Sequence, residues 1–165
     1  MRNFLRKNIR KFRQWRVLRS VKSHKGEIFI GGATQLTAYT ELGYNPNFNG
    51  LTIKGCGSVK IGNNFHSGED CLFITENHNY DSGNAIPYDS TYIYKKIIIE
   101  DNVWLGDRVV VLGGVTIGEG AIIQAGSVVV KDIPALAIAG GSPAKVFKKR
   151  DEEHYNKLKK LKLFH

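Results

Sequence analysis

The chain has 165 residues, of which 42% are hydrophobic, and carries a formal net charge of +9 at pH 7. This length and composition suit a single domain with its own core, and no segment is apolar for long enough to span a membrane. The basic N-terminus lacks the apolar stretch of a secretory signal, and the two cysteines lack CxxC or zinc spacing. A reduced, cytoplasmic protein is therefore expected.

Residues 1–25 are predicted to form a basic helical arm, because they contain ten Lys or Arg and no acidic residue. The other residues hold 14 basic and 15 acidic groups, so the positive charge belongs to the arm. Its apolar residues fall loosely on one helical face. They are Phe4, Leu5, Ile9, Phe12, Trp15, Leu18 and Val21. We expect a helix that caps the domain or packs against another subunit. Contact with an anionic membrane surface is the alternative, whereas no motif supports nucleic-acid binding.

Between Ile99 and Gly140 the sequence repeats every six residues. The first positions are aliphatic or small: Ile99, Leu105, Val111, Ile117, Ile123, Val129 and Ala135. The fifth positions are small or β-branched: Val103, Val109, Val115, Ala121, Ser127, Ile133 and Ala139. This period fits neither an α-helix nor a simple alternation. It predicts short strands joined by tight corners, with both positions inside a narrow core and three strands in each triangular coil. We assign this all-β solenoid to residues 26–147, and Cys71, at a fifth position of the same pattern, to its core.

Residues 79–96 interrupt the repeat with polar and aromatic side chains, so they are predicted to project as a loop, where functional residues are often placed. His78 lies where the loop begins. An imidazole with a pKa near neutrality suits a general base, and Glu76, Asp81 or a backbone carbonyl could fix its tautomer. The alternative is that His78 is an ordinary polar residue of the loop.

The end of the repeat is rich in cations. Lys131, Lys145, Lys148, Lys149 and Arg150 lie there beside glycines, a combination that suits a phosphorylated ligand. The alternative is a solvated basic face. Residues 148–165 form a charged C-terminal tail that is predicted to be a short helix. Its apolar stripe, which would pack back on the solenoid, consists of Tyr155, Leu158, Leu161 and Leu163.

Several features together resemble the hexapeptide-repeat acyltransferases. They are the six-residue repeat, the segments NHNYD and NVWLG, the stretch VTIGEGAIIQAGSVVVKDIP and the closing AGGSPAKVFKKR. Within that family the chain is most similar to the maltose and galactoside O-acetyltransferases and to sugar O-acetyltransferases of surface-polysaccharide pathways. The resemblance covers roughly residues 28–150. It implies a left-handed parallel β-helix, an exception to the usual handedness of parallel crossovers. It also implies a homotrimer with active sites between subunits, acetyl-CoA as the donor and one catalytic His.

Transferred residue by residue, the resemblance implies that His78 is the general base and that Trp104 lies beside the pantetheine arm. The implied acetyl-CoA positions are Trp104, Asp107, Ala125, Val130, Lys131, Lys145 and Lys148. The implied acceptor positions are Asn47, Asn77, Tyr80 and Asp81. The basic arm departs from the acidic helical region of the maltose-type enzymes, which leaves room for a membrane-linked or polysaccharide-precursor acceptor.

These observations predict an acetyl-CoA-dependent O-acetyltransferase that acts on a sugar or polysaccharide precursor, without a metal, in the cytoplasm or at the inner face of the membrane. N-acetylation of an amino sugar or of an antibiotic is the near alternative. Two other classes stay open. One is a non-catalytic β-solenoid scaffold, and the other is a γ-type carbonic anhydrase, which would need three His ligands around zinc.

Overall fold

The computed structural model describes residues 2–165, with side chains from Asn8 onward. Over these residues, helix α1 (Arg2–Ser20) and helix α2 (Glu152–Lys160) flank nineteen short strands. The strands are β1 (Ser23–His24), β2 (Phe29–Ile30), β3 (Thr34–Gln35), β4 (Thr40–Leu42), β5 (Asn47–Phe48), β6 (Leu51–Lys54), β7 (Val59–Ile61), β8 (His66–Ser67), β9 (Cys71–Ile74), β10 (Glu76–His78), β11 (Tyr92–Tyr94), β12 (Ile97–Ile99), β13 (Trp104–Leu105), β14 (Val110–Leu112), β15 (Thr116–Ile117), β16 (Ile122–Ile123), β17 (Val128–Val129), β18 (Ala137–Gly140) and β19 (Lys145–Lys149).

Three sheets form the walls of a triangular solenoid. Sheet A contains β1, β4, β7, β12 and β15; sheet B contains β2, β5, β8, β13, β16, β18 and β19; sheet C contains β3, β6, β9, β14 and β17. The chain visits A, B and C in turn, and stacked strands are parallel, except that β19 returns antiparallel to β18. The predicted left-handed parallel β-helix is confirmed.

The core consists of the side chains that the sixfold repeat places inward. Every fifth position from Val103 to Ala139 and every first position from Ile99 to Val129 is buried, as is Cys71. The prediction for Ala135 is wrong, because this residue is exposed. The corner after β17 is two residues shorter than in the preceding coil, so Ile133 lies beside Ile117 and Ile138 beside Ile122, 16 residues apart instead of 18. Ala137 therefore occupies the inward position instead.

Asparagines brace the corner between sheets A and B. Asn45, Asn64 and Asn102 have φ angles of 53°, 51° and 60°, a left-handed conformation that Asn tolerates better than most residues. The Nδ2 of Asn45 donates to Oδ1 of Asn64 at 3.2 Å, and the Nδ2 of Asn64 donates to Oδ1 of Asn102 at 2.9 Å. This asparagine ladder ties three successive coils together.

Helix α2 packs against the end of that ladder. The Nδ2 of Asn102 donates to Oη of Tyr155, which donates to Oε1 of Glu119, both at 2.9 Å. Burial and then this hydrogen bond to Glu119 raise the pKa of Tyr155 to about 12. Tyr155 is buried as predicted, but Leu161 and Leu163 are mainly exposed, so the predicted apolar stripe is wrong for these two leucines. They follow the helix, which ends at Lys160.

Helix α1 covers the N-terminal end of the solenoid through Val17, which is buried in the core. The first strand begins at Ser23 and pairs with β4, so the solenoid starts three residues before the predicted boundary. The predicted apolar positions Phe4 and Leu5 lie outside the described side chains. No helix within the described residues is both long and apolar enough to cross a membrane.

The projecting segment is an antiparallel hairpin, β10 with β11, inserted between sheets C and A. A regular coil takes 18 residues, as from Ile98 to its neighbour Thr116. The coil that contains the hairpin takes 38, as from Lys60 to Ile98. The predicted loop 79–96 is therefore part of an ordered insertion that begins at Glu76 and ends at Tyr94.

Candidate active site

His78 lies at the end of β10, with its imidazole between two tyrosine rings of the same hairpin. The Tyr88 ring is nearly parallel to the imidazole, with centroids 3.6 Å apart, and the Tyr92 ring is tilted, with centroids 4.6 Å apart. Nδ1 of His78 is buried and has no hydrogen-bond partner within the described residues. Since a buried polar atom normally has a partner, this unsatisfied nitrogen sets His78 apart from an ordinary polar residue of a loop.

Neither acidic residue considered for the tautomer of His78 contacts it. Oε2 of Glu76 accepts a hydrogen bond from the backbone N–H of Cys56 at 3.2 Å, and Asp81 is exposed near the tip of the hairpin. The register of the hairpin places Glu76 beside Tyr94 and His78 beside Tyr92. Glu76 therefore braces the base of the hairpin against the preceding coil.

Asp89 holds the segment that carries Tyr88. Its Oδ1 accepts from the hydroxyl and the backbone N–H of Thr91 at 2.5 and 2.8 Å, and its Oδ2 accepts from the backbone N–H of Asn84 at 2.9 Å. These hydrogen bonds, that of the Thr91 side chain foremost, lower the pKa of Asp89. A charged Asp89 thus orders the turn and places the Tyr88 ring over His78.

A cleft of about 480 Å³ lies beside the hairpin, lined by Tyr39, Cys56, Tyr94 and Lys95 among others. Tyr94 is stacked with Tyr92, with centroids 6.5 Å apart, and Tyr92 touches His78. Alternate residues of a strand share a face, so Tyr92 and Tyr94 form an aromatic row that leads from the cleft to the imidazole.

Trp104 is on the outer surface of sheet B and is 54% exposed, as its place in the repeat predicts. Its neighbours in the sheet are His66 and Ile122. Burial lowers the pKa of His66, which favours a neutral ring beside Trp104. In a triangular coil the corner between sheets C and A is opposite sheet B, so His78 and Trp104 are on opposite sides of one chain.

The other residues predicted to contact acetyl-CoA are spread over two corners and one edge. Asp107 and Ala125 are exposed at the corner between sheets B and C, where Oδ1 of Asp107 also accepts from the backbone N–H of Glu69 at 2.8 Å. Val130 and Lys131 are exposed at the corner between C and A, the hairpin corner, beyond β17. Lys145 and Lys148 are exposed on β19, at the C-terminal edge of sheet B.

The predicted acceptor residues do not form one group in the chain. Asn77 pairs with Ile93 in the hairpin, next to His78 but on the other face. Tyr80 and Asp81 are exposed in the turn of the hairpin. Asn47 is on β5 in sheet B, in register with His66, and its Oδ1 is buried without a partner in the described structure.

Sequence reasoning missed two residues of the cleft, Tyr39 and Cys56. They come from the corners of two earlier coils, and no local pattern marks either of them. Among the described residues, no three His, Cys, Asp or Glu side chains come close enough together to hold a metal ion.

Comparison with known proteins identifies the family. Residues 96–131 match the family model described as bacterial transferase hexapeptide (six repeats). A maltose O-acetyltransferase from Clostridium difficile, a solved structure, is 31% identical with a TM-score of 0.68, over 81% of this chain and 70% of that one. The chain belongs to the hexapeptide-repeat transferase family.

Two other relatives, one known from its sequence and one from a solved structure, are also similar to this chain. The galactoside O-acetyltransferase of Lactococcus lactis is 39% identical over 124 residues, which are 73% of this chain and 58% of that protein. A hexapeptide-repeat acetyltransferase of Vibrio cholerae, solved in complex with acetyl coenzyme A, is 27% identical with a TM-score of 0.67, over 88% of this chain and 79% of that one. The chain spans about half the length of the curated relatives that it matches.

Proposed function

We propose that this protein transfers an acetyl group from acetyl-CoA to a hydroxyl group of a sugar or polysaccharide precursor. The observation that carries the proposal is His78, an imidazole on a projecting hairpin that two tyrosine rings hold in place and whose buried Nδ1 has no hydrogen-bond partner among the described residues. A solved relative with the same fold binds acetyl coenzyme A. Acetyl-CoA is a substrate in this reaction and supplies the activated acetyl group.

In the proposed reaction His78 is the general base. It accepts the proton of the acceptor hydroxyl while the oxygen forms a bond to the carbonyl carbon of the thioester. The carbon–sulfur bond breaks, and the protonated imidazole returns the proton to the sulfur, so the products are an acetyl ester and free CoA. The Tyr88 and Tyr92 rings hold the imidazole in one orientation, which favours the alignment of two substrates.

The proposed site needs two copies of the chain. His78 belongs to the corner opposite sheet B, whereas Trp104 and Lys148 are on sheet B itself. A neighbouring copy can bring its sheet B against this hairpin, and three copies related by a threefold axis repeat that contact in a closed ring. We therefore propose a homotrimer with an active site between each pair of subunits.

The donor would lie along sheet B, with Trp104 beside its pantetheine arm. An indole that is 54% exposed offers the apolar contact that this arm needs. Lys145 and Lys148 are exposed cations at the C-terminal edge of sheet B, where they suit the phosphates of CoA. Lys131, exposed at the hairpin corner, would be supplied by the facing copy. Ala125 and Val130 would contribute backbone groups and Asp107 a polar side chain.

The acceptor would enter from the cleft beside the hairpin. Tyr39 and Tyr94 give it aromatic walls, and the hydroxyl groups of both tyrosines can hydrogen-bond to a sugar. Partial desolvation, and then the nearby Cys56 and Glu76, raise the pKa of Tyr94, so its hydroxyl keeps its proton at neutral pH. A sugar hydroxyl held here would approach His78 along the aromatic row. We place the reaction in the cytoplasm, where acetyl-CoA is made.

The test is CoA release, followed with a thiol reagent, for sugars, amino sugars and polysaccharide precursors. His78→Ala should lower kcat by about 10²–10⁴-fold, the usual contribution of a general base. His154→Ala, at an exposed histidine on α2, is the matched control and should keep full activity. If CoA is released only with amino sugars, the acceptor group is an amine rather than a hydroxyl. Failure to bind acetyl-CoA would contradict the proposal and favour a scaffold.

A further inference from the structure

Helix α1 is fixed to the solenoid by one of its faces. Val17 is 3% exposed, Nη1 of Arg13 donates to the carbonyl oxygen of Gly31 at 2.9 Å, and the guanidinium of Arg10 lies 5.2 Å from the centroid of the Phe29 ring. These contacts define the rotation of the helix about its axis. The opposite face therefore points away from the domain.

That opposite face exposes two aromatic rings. Phe12 is 59% and Trp15 52% exposed, with ring centroids 5.9 Å apart, and the guanidinium of Arg19 lies 5.0 Å from the Trp15 ring. Residues two apart in a helix differ by about 200° in direction, so Trp15 points away from the surface that buries Val17. Trp15 contacts Phe12 and Arg19 rather than the solenoid. Phe12 and Arg16 lie at the edge of this face, where they border a groove of about 550 Å³ beside Thr34 and Gln35.

Cations surround the aromatic pair. Lys11, Arg16 and Arg19 are exposed on the same part of the helix, and residues 1–25 contain no acidic side chain. A second copy that packed by the same face would bring like charges together, which disfavours self-association. An anionic lipid surface instead supplies phosphates for the cations and an apolar boundary for the rings.

We propose that the outer face of α1, formed by Lys11, Phe12, Trp15, Arg16 and Arg19, binds the surface of an anionic lipid bilayer. The rings enter the boundary between headgroups and acyl chains, and the long basic side chains extend to the headgroups. Because the inner face of α1 is fixed to the first coils, binding sets the direction in which the solenoid stands on the membrane. This inference does not depend on acetyl transfer.

The test uses the full chain with Trp104→Phe, which leaves Trp15 as the single tryptophan. Vesicles of phosphatidylcholine with about 30% phosphatidylglycerol should sediment the protein and shift the Trp15 emission to the blue, whereas pure phosphatidylcholine vesicles should bind much more weakly. In the unmodified chain, Phe12→Ser with Trp15→Ser should lower sedimentation at least about tenfold. A triple variant should lower sedimentation with the vesicles about a hundredfold. It combines Lys11→Gln, Arg16→Gln and Arg19→Gln.

Tyr44→Ser with Phe147→Ser is the matched control, because these exposed aromatic residues lie elsewhere on the surface. It should bind vesicles like the parent. Three results would overturn the proposal. These are equal binding to both kinds of vesicle, undiminished binding of the Phe12 and Trp15 variant, or a lower oligomer mass of that variant in light scattering. The last result would assign the face to contact between copies.

Discussion

The Tyr88 ring covers the imidazole of His78 at a centroid distance of 3.6 Å and an interplanar angle of 12°. Tyr88 comes from the irregular part of the hairpin and is held there through Asp89. The orientation of the proposed base is therefore set by the 13-residue loop between β10 and β11 rather than by the repeat.

Removal of this stacking contact should disorder the base. Tyr88→Ala is expected to lower kcat about tenfold with little change in the KM for acetyl-CoA, since a stacked ring pair contributes up to roughly 1.5 kcal/mol. Tyr88→Phe keeps the ring and should retain most of kcat. Steady-state kinetics of both variants measure the effect. An equal loss in both would assign the role to the hydroxyl instead.

The position of Trp104 opposite the hairpin corner predicts complementation between subunits. Trp104→Ala should raise the KM for acetyl-CoA by at least about tenfold through lost apolar contact, and His78→Ala should be nearly inactive. When both variants are co-expressed in equal amounts, about a quarter of all sites, and about one site in three within mixed trimers, combine an intact His78 with an intact Trp104. Activity at low acetyl-CoA should then exceed the sum of the parents. A site within one chain would give no such gain.

The hydrogen bond from Tyr155 to Glu119 should make the stability of the fold depend on alkaline pH. The folded-state pKa is about 12, above the usual value of about 10 in an unfolded chain. The stabilisation is therefore complete below pH 10 and is lost as the pH rises towards 12.

Tyr155→Phe tests this dependence. It should lower the free energy of unfolding at pH 8 by about 1 kcal/mol, and the difference from the parent should shrink by pH 11. Urea unfolding at one fixed protein concentration measures both values, with the exposed Tyr44→Phe as the control. A difference that is equal at the two pH values would contradict the assigned pKa.

The asparagine ladder gives a prediction with an internal control. Asn64 has a φ of 51° and makes a side-chain hydrogen bond to each neighbouring coil. Asn64→Gly loses both hydrogen bonds but adopts this φ without strain. Asn64→Ala loses the same hydrogen bonds and must also hold a left-handed backbone conformation, which is unfavourable for alanine. The Ala variant should thus be about 1 kcal/mol less stable than the Gly variant in urea unfolding. Equal stabilities would mean that the backbone relaxes at this corner.

The sequence predicted the solenoid because its coils repeat. Each first and fifth position faces the same narrow core, so the pattern from Val103 to Ile133 could be translated directly into inward side chains. The prediction failed at Ala135, because the corner between β17 and Ile133 is two residues shorter than in the preceding coil. Inward positions are a local consequence of a period, and a single turn of different length is enough to move them.

The candidate site was predictable only in part. His78 and Trp104 could be selected because one begins an interruption of the repeat and the other stands at an outward position. The stacking of Tyr88 on His78 could not, since the hairpin follows no period. The cleft could not either, because Tyr39, Cys56 and Tyr94 come from three different coils, and their proximity depends on how the coils stack.

The hairpin is an insertion that leaves the stacking of the coils unchanged. Removal of residues 76–94 would shorten the long coil to the 19-residue spacing already present between Thr40 and Val59. The stacking of the coils and the position of the proposed base therefore depend on different parts of the chain. We therefore expect substitutions in the hairpin to alter the choice of acceptor at little cost to the stability of the solenoid, so that descendants of this chain could acquire new substrates on the same scaffold.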